Sequence, residues 1–192
     1  MTLSYWDNSD IELIEQAKIG NGQAFRVLVL RYEKRVARTV MGLLGVCPEA
    51  DDVGQETFIR FYKSLADFRG EASLGTYLCR IAANLSLNEL KRRKKRGWLS
   101  FFSPNDDKDT PTQEHEVIDS TNSYEQYDMN EQIQLALERL DEKLRSVVVL
   151  RLIEGFSTKE TADMLDVPLG TVLSRLSRAQ DQLKKHLAVL GR

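Results

Sequence analysis

Four polar residues within two helical turns, Asp51, Asp52, Gln55 and Glu56, form the densest group of chemically capable side chains in this 192-residue chain. Asp52 and Glu56 stand four apart, so a helix puts them on one face. Paired carboxylates can hold a divalent cation for phosphodiester chemistry, provided a further ligand or positioned partner is present. None is near: the only histidines are His115 and His186. That leaves little for His-based acid–base or metal chemistry. Cys47 and Cys79 lack metal-site spacing and are too few for a disulfide framework, so a reducing cytosol is the expected compartment. Composition argues against a His-dependent enzyme and implies neither cofactor nor metal. The remaining reading of the acidic quartet is a surface, either solvated or docked on a basic partner.

A second group is cationic. Thr171, Ser174, Arg175 and Arg178 lie in the first turns of a C-terminal apolar-striped segment, and Lys91-Arg92-Arg93-Lys94-Lys95-Arg96 is an unbroken basic run. Arginines three apart present planar forks to guanine edges or phosphates, while Thr and Ser let a helix come close to a duplex. A run of six cations is either a solvated tail or a phosphate-neutralising strip. The pI near 5.8 speaks against nucleic acid only until charge is counted by segment. Residues 1–96 carry 16 Lys+Arg against 12 Asp+Glu, residues 97–130 one against eight, and residues 131–192 ten against nine. The acidity belongs to a connector.

That connector, from Gly97 to about Asp128, holds Pro104 and Pro111, many Ser, Thr, Asn and Asp, and no sustained period. It is expected to be a linker, since a structureless loop of this length is rare inside a compact domain. As a random coil it spans about 30 Å, and pulled out about 100 Å, so the flanking blocks could sit at separated places on one partner. Trp98, Phe101 and Phe102 are unusual there and are expected to pack on the first domain or meet a partner.

The flanking blocks read as helices. Asn8-Ser9-Asp10 caps a first helix; Phe25, Leu28, Val29, Tyr32, Val36, Val40 and Leu43 stripe a second that stops at Gly45. Val53, Phe58, Phe61 and Leu65 define a third, ending near Gly70, and Leu74, Leu78, Ile81 and Leu85 a fourth that runs into the basic stretch. Leu137, Leu140, Leu144, Val147 and Val148 line two more, joined near Asp141. Ser157-Thr158-Lys159-Glu160 is a capping box, and Asp166-Val167-Pro168 is a tight turn before a last helix striped by Val172, Leu176, Ala179 and Leu183. Short helix, tight turn and longer helix with a polar-cationic start is a helix-turn-helix. No apolar stretch spans a bilayer, so no membrane insertion is expected, and the first residues lack a secretory pattern. The expected fold is all-α: two small helical domains, an N-terminal bundle (1–96) and a C-terminal helix-turn-helix (129–192), joined by an acidic flexible linker (97–128).

Three segments, in order, carry a resemblance. Residues 157–179 (STKETADMLDVPLGTVLSRLSRA) resemble the fourth conserved region of bacterial sigma factors of the extracytoplasmic-function (ECF) group, within the sigma-70 family. Residues 48–58 (PEADDVGQETF) are similar to the family's helix that docks on the RNA polymerase β′ clamp, and residues 74–85 (LGTYLCRIAANL) to its promoter-melting segment. The resemblance covers nearly the whole chain. It implies a cytoplasmic initiation factor without catalytic groups, whose partners are core RNA polymerase (β′ clamp and β flap), promoter DNA and an anti-sigma factor. Asp51, Asp52, Gln55 and Glu56 would then meet the polymerase. The loop of Phe68, Arg69, Gly70 and Ser73, with Tyr77, Arg80 and Asn84 and the cations Lys91, Arg92 and Arg93, would hold the melted −10 element. Thr171, Leu173, Ser174, Arg175 and Arg178 would face the −35 duplex. By the same resemblance the acidic connector would thread the polymerase's RNA channel. Leu173 and Gln180 stand where cations are common in the family, so the −35 sequence does not carry over; leucine offers only apolar contact, as to a thymine methyl.

Two other classes share parts of this pattern. A helix-turn-helix regulator that recruits complete polymerase would need no docking helix or melting segment. A carboxylate-dependent phosphodiester enzyme built on Asp51, Asp52 and Glu56 would show Mg²⁺- or Mn²⁺-dependent turnover.

Overall fold

The computed structural model describes residues 5–102 and 132–190, and every regular element among them is helical. After a short 3₁₀ turn at Tyr5–Asp7 come α1 (Asp10–Lys18), α2 (Gly22–Leu44), α3 (Pro48–Ser64) with a 3₁₀ extension Leu65–Asp67, and α4 (Leu74–Phe102). The second block holds α5 (132–138), α6 (Glu142–Val148) prolonged by a π-helical turn (Val149–Ile153), α7 (Thr158–Leu165) and α8 (Leu169–Leu190).

Local chemistry sets most boundaries. Ser9 and Ser157 each close a capping box, with Glu12 and Glu160 at the third helical position. Asn21 Oδ1 accepts from the N–H groups of Gln23 and Ala24 at 3.1 and 3.3 Å, and Gly45 ends α2 at φ 77°. Pro48 occupies the first position of α3, where no N–H is needed. One boundary differs from the sequence reading. Helix α4 continues through residues 97–102, which the composition assigns to the linker; Gly97 does not end it, and Pro104 lies two residues beyond. The rest of the expected linker lies outside the described residues.

The first block packs α1, α3 and α4 around α2. Its core holds Leu13, Leu28, Val36, Val40, Phe61 and Leu78, all at most 1% exposed. Phe61 is the hub of an aromatic group, with ring centroids 5.9 Å from Phe25, 6.0 Å from Phe68 and 6.1 Å from Tyr77. Burying a ring of this size and removing it again costs about 3–5 kcal/mol, so this cluster fixes the α3–α4 angle. In the second block, Val147 of α6, Ala162 of α7 and Val172 of α8 form a small core that holds the helix-turn-helix angle.

The two blocks are not apart. Leu43, Cys79 and Ala83 of the first share one core with Leu137, Leu140, Val148, Val149, Leu150, Phe156 and Ala179 of the second. The separated placement that a long linker permits is thus not the arrangement here. Apolar surface on α2 and α4 that a lone N-terminal block would leave wet is covered by the C-terminal one.

Candidate nucleic-acid and polymerase interfaces

At the C-terminal site, the Ser157 N–H donates to Glu160 Oε2 at 2.9 Å and the Glu160 N–H to Ser157 Oγ at 3.1 Å. The Ser157 N–H, then its hydroxyl, and Arg80 after them hold the Glu160 carboxyl below its usual range. Asp166 adopts the left-handed conformation (φ 52°), and the Val167 N–H bonds Ala162 O at 3.1 Å, which stops α7 within a residue. With Val172 and Ala179 turned inward, Leu169, Leu173, Ser174 and Arg178 face out; Leu173 is 56% exposed. Thr171 and Arg175 are half-buried. Ser174 Oγ donates to Thr171 O at 3.1 Å, which orients the hydroxyl. Neither Arg175 nor Arg178 has an ion-pair partner among the described residues. This is the geometry a recognition helix needs: first turns open, cations uncommitted.

Asp51 and Gln55 lie on the wall of an open groove of about 380 Å³ between α2 and α3, floored by Val36, Ala37, Ala50 and Phe58. Asp52 points away into solvent, and Glu56 is engaged by Arg60 Nε at 2.9 Å. The quartet therefore splits into two groove residues and two flanking ones. No group of three or more His, Cys, Asp or Glu among the described residues is placed to hold a metal ion.

The loop before α4 is open at its tip: Arg69 and Gly70 (φ 71°) are exposed, and Ser73 caps α4 by accepting the Thr76 N–H at 3.3 Å. Phe68 and Tyr77 belong to the aromatic group instead, with centroids 5.0 Å apart, and the Tyr77 and Ser64 hydroxyls are 3.1 Å apart. The sequence reading set Tyr77 beside Arg80 and Asn84. In the fold Tyr77 turns inward, while Arg80 and Asn84 are exposed one turn apart. Arg80 is occupied: its guanidinium pairs with Glu160 of α7 and sits 5.8 Å from the Phe156 ring centroid.

The basic run is largely neutralised from within. Glu89 pairs with Arg92 (2.8 Å), Arg93 (3.7 Å) and Arg96 (2.8 Å); Glu49 pairs with Arg93 (3.0 Å). Arg93 also donates to Cys47 Sγ at 2.8 Å, tying α4 to the start of α3. Lys94 reaches Glu142 of α6 at 2.6 Å. Lys91 and Lys95 have no ion-pair partner among the described residues. Of the three cations assigned to the −10 strand, Lys91 is thus uncommitted, Arg92 is surface-paired and Arg93 is a structural tie. The Glu89 spacing, three, four and seven residues before its arginines, was the available signal for this.

A helical block with an open loop and groove, joined to a helix-turn-helix whose reading face is bare, defines a two-part, DNA-binding transcription protein. The family model for sigma-70 region 2 matches residues 28–96, and that for sigma-70 region 4 matches residues 130–183. The RNA polymerase sigma-H factor of Pseudomonas aeruginosa is 31% identical over 95% of this chain and 96% of its own. The ECF RNA polymerase sigma-E factor of Escherichia coli is 32% identical over 96% of this chain and 97% of its own. CnrH, solved in complex with the cytosolic domain of CnrY, is 26% identical with a TM-score of 0.57, covering 95% of this chain and 99% of that one. The sigma factor RpoE of Bartonella quintana, solved with the anti-sigma factor NepR, shares the fold at a TM-score of 0.62 and 22% identity, over 86% and 97% of the two chains.

The chain belongs to the sigma-70 family of RNA polymerase sigma factors, in its extracytoplasmic-function group. It acts with RNA polymerase as a promoter-specific transcription initiation factor. Sigma factors are initiation factors, not enzymes.

Proposed function

We propose a division of labour among three surfaces, within domains spanning about 1–96 and 129–192. The α2–α3 groove, with Asp51 and Gln55 on its wall and Asp52 and Glu56 beside it, takes the β′ clamp of core polymerase, and the C-terminal domain the β flap. Complementary charge there sets the association rate more than the affinity. The loop from Phe68 to Ser73, with Arg80, Asn84 and the outward cations of α4, holds the melted −10 strand; Phe68 and Tyr77 shape the pocket from below. The first turns of α8 read the −35 duplex through Thr171, Leu173, Ser174, Arg175 and Arg178.

The observation that carries this reading is the bare face of α8. Arg178 is exposed without an ion-pair partner among the described residues, directly after a capped short helix and a turn stopped at Asp166. An arginine left without a carboxylate at the start of a recognition helix suits a phosphate or a guanine edge. An anti-sigma factor is a fitting regulatory partner, since the RpoE relative was solved with one. The place of action is the cytoplasm, where RNA polymerase works; no described helix is long and apolar enough to cross a membrane.

The test is reconstitution. Purified protein mixed with sigma-free core polymerase should form a stoichiometric complex and start RNA at a reproducible set of sites in a genomic-fragment library. Duplex binding without core association would refute the docking assignment.

A further inference from the structure

Two buried or half-buried carboxylates of the C-terminal block reach into the first block, and both land on groups of one surface. Glu154, whose side chain is 1% exposed, accepts from Thr39 Oγ1 at 2.5 Å and lies 3.7 Å from Arg35. Glu160 takes the guanidinium of Arg80. Between them Gly42 of α2 lets the backbones close up: a Cβ built there would lie 3.1 Å from Val149 Cγ2 and 3.9 Å from Val149 Cβ. Gln134 Nε2 adds a bond to Met41 O at 3.2 Å. The contact is thus a fitted interface with a shared apolar core, a glycine seat and two acid–base contacts.

The far side of the same interface is opposed. A cleft of about 190 Å³ gathers Lys91 and Lys94 of α4 against Lys143 and Arg175 of the other block, with Glu142 as the single acid on its wall. Like charges brought together there favour separation, so the closed form is held at one edge and pushed at the other.

We infer that this interface is an autoinhibitory surface: the C-terminal domain is an intramolecular ligand that occupies Arg80 in place of the melted promoter strand. The inference rests on the reading of Arg80 as a −10 residue. A guanidinium bound to a carboxylate and stacked near an aromatic ring is engaged as a phosphate and a base would engage it. Arg80 cannot serve both at once. Strand capture therefore requires the domains to part, which also frees the half-buried Arg175 for the duplex.

The Gly42–Val149 seat supplies the test, because its Cβ separation matches that of a disulfide. In the full chain carrying Gly42→Cys and Val149→Cys, oxidised glutathione should close a cross-link between those two positions, located by peptide mapping. The probe is a fluorescein-labelled, random-sequence, 20-nucleotide single strand read by anisotropy. The oxidised protein should bind it at least tenfold more weakly than the same protein after reduction, with circular dichroism unchanged. No cross-link, or equal binding in both states, would overturn the inference. Thr39→Val, in the otherwise native chain, should move affinity the other way, several-fold tighter; no change would count against the latch. Arg80→Ala is then placed in the reduced protein. If strand binding does not fall, the promoter role of Arg80 is wrong, and that failure is separate from a failed lock.

Discussion

Gly75→Ala should destabilise the protein through a residue it never touches in sequence. Gly75 lies in the first turn of α4 against α2, and a Cβ there would sit 2.3 Å from Arg35 Nη1 and 3.1 Å from Tyr32 Cε1. Tyr32 is held by Asp10, so the arginine tip is what moves. The displaced guanidinium is the one charged group near Glu154 that balances it, at 3.7 Å. Losing a partner from a fully buried carboxylate costs about 3–5 kcal/mol. Arg35 is itself about a third exposed, the pair is long, and Thr39 still donates, which together bring the loss to about 1–2 kcal/mol. For a chain of this size that is a fall of about 3–6 °C in the melting temperature. Urea titration of four proteins gives the answer: wild type, Gly75→Ala, Glu154→Gln, and the double variant. Because the neutral amide needs no cation, the alanine should cost almost nothing in the Glu154→Gln background. An equal penalty in both backgrounds would refute the reasoning and leave a steric clash with Tyr32 as the cause.

Further expectations concern DNA and thiols. Arg178→Ala should weaken −35 duplex binding by about 1–3 kcal/mol if it reads a base, or lower the salt slope by about one if it meets a phosphate. The half-buried Arg175→Ala should do less to the isolated chain and more once core polymerase is bound; equal effects in both settings would contradict its place in the cleft. Asn84→Ala should spare core binding and slow promoter opening, seen by permanganate reactivity of melted thymines. Burial first, then the bond to Glu154, raises the Cys79 thiol to about 11, whereas Cys47 is half-buried. A thiol reagent at pH 8 should therefore label Cys47 first and Cys79 only on opening. The sign for stability follows: above the ordinary thiol range the unfolded chain gives up its proton while the folded chain keeps it. Stability is intact below pH 9 and falls as pH rises toward 11, and the fall should vanish in Cys79→Ala.

What could be read from sequence was local. The serine caps with glutamate three residues on, the stop at Gly45 and the turn at Asp166 are each decided within a few residues, and each is where the sequence puts it. The helix-turn-helix face followed because the inward set Val172, Leu176 and Ala179 leaves only one other side. What escaped was non-local. Thr39 and Glu154 are far apart in the chain, and nothing in either neighbourhood marks them as partners. The run Val147-Val148-Val149-Leu150 is apolar all round, so no stripe signals that it is buried between two blocks. The same uniformity hides the π-helical turn. Net charge misled at residues 91–96, where the cations were counted but not their carboxylate partners on the same helix and at Glu49.

That π-helical turn sets a condition on how this protein can change over time. The Glu154 N–H bonds Val149 O at 2.9 Å, five residues back, so the turn carries one residue more than an ordinary helix would. Deleting any single residue of the turn would let α-helix resume while rotating everything after it by about 100°. Glu154 would swing off Thr39, and the seat at Gly42 would face a different side chain. A lineage could therefore shed its internal brake in one codon loss, leaving each side chain chemically intact, and regain it only by an insertion at the same place. Scanning by substitution would pass over such a determinant, because it resides in the phase of the backbone and in no residue's identity.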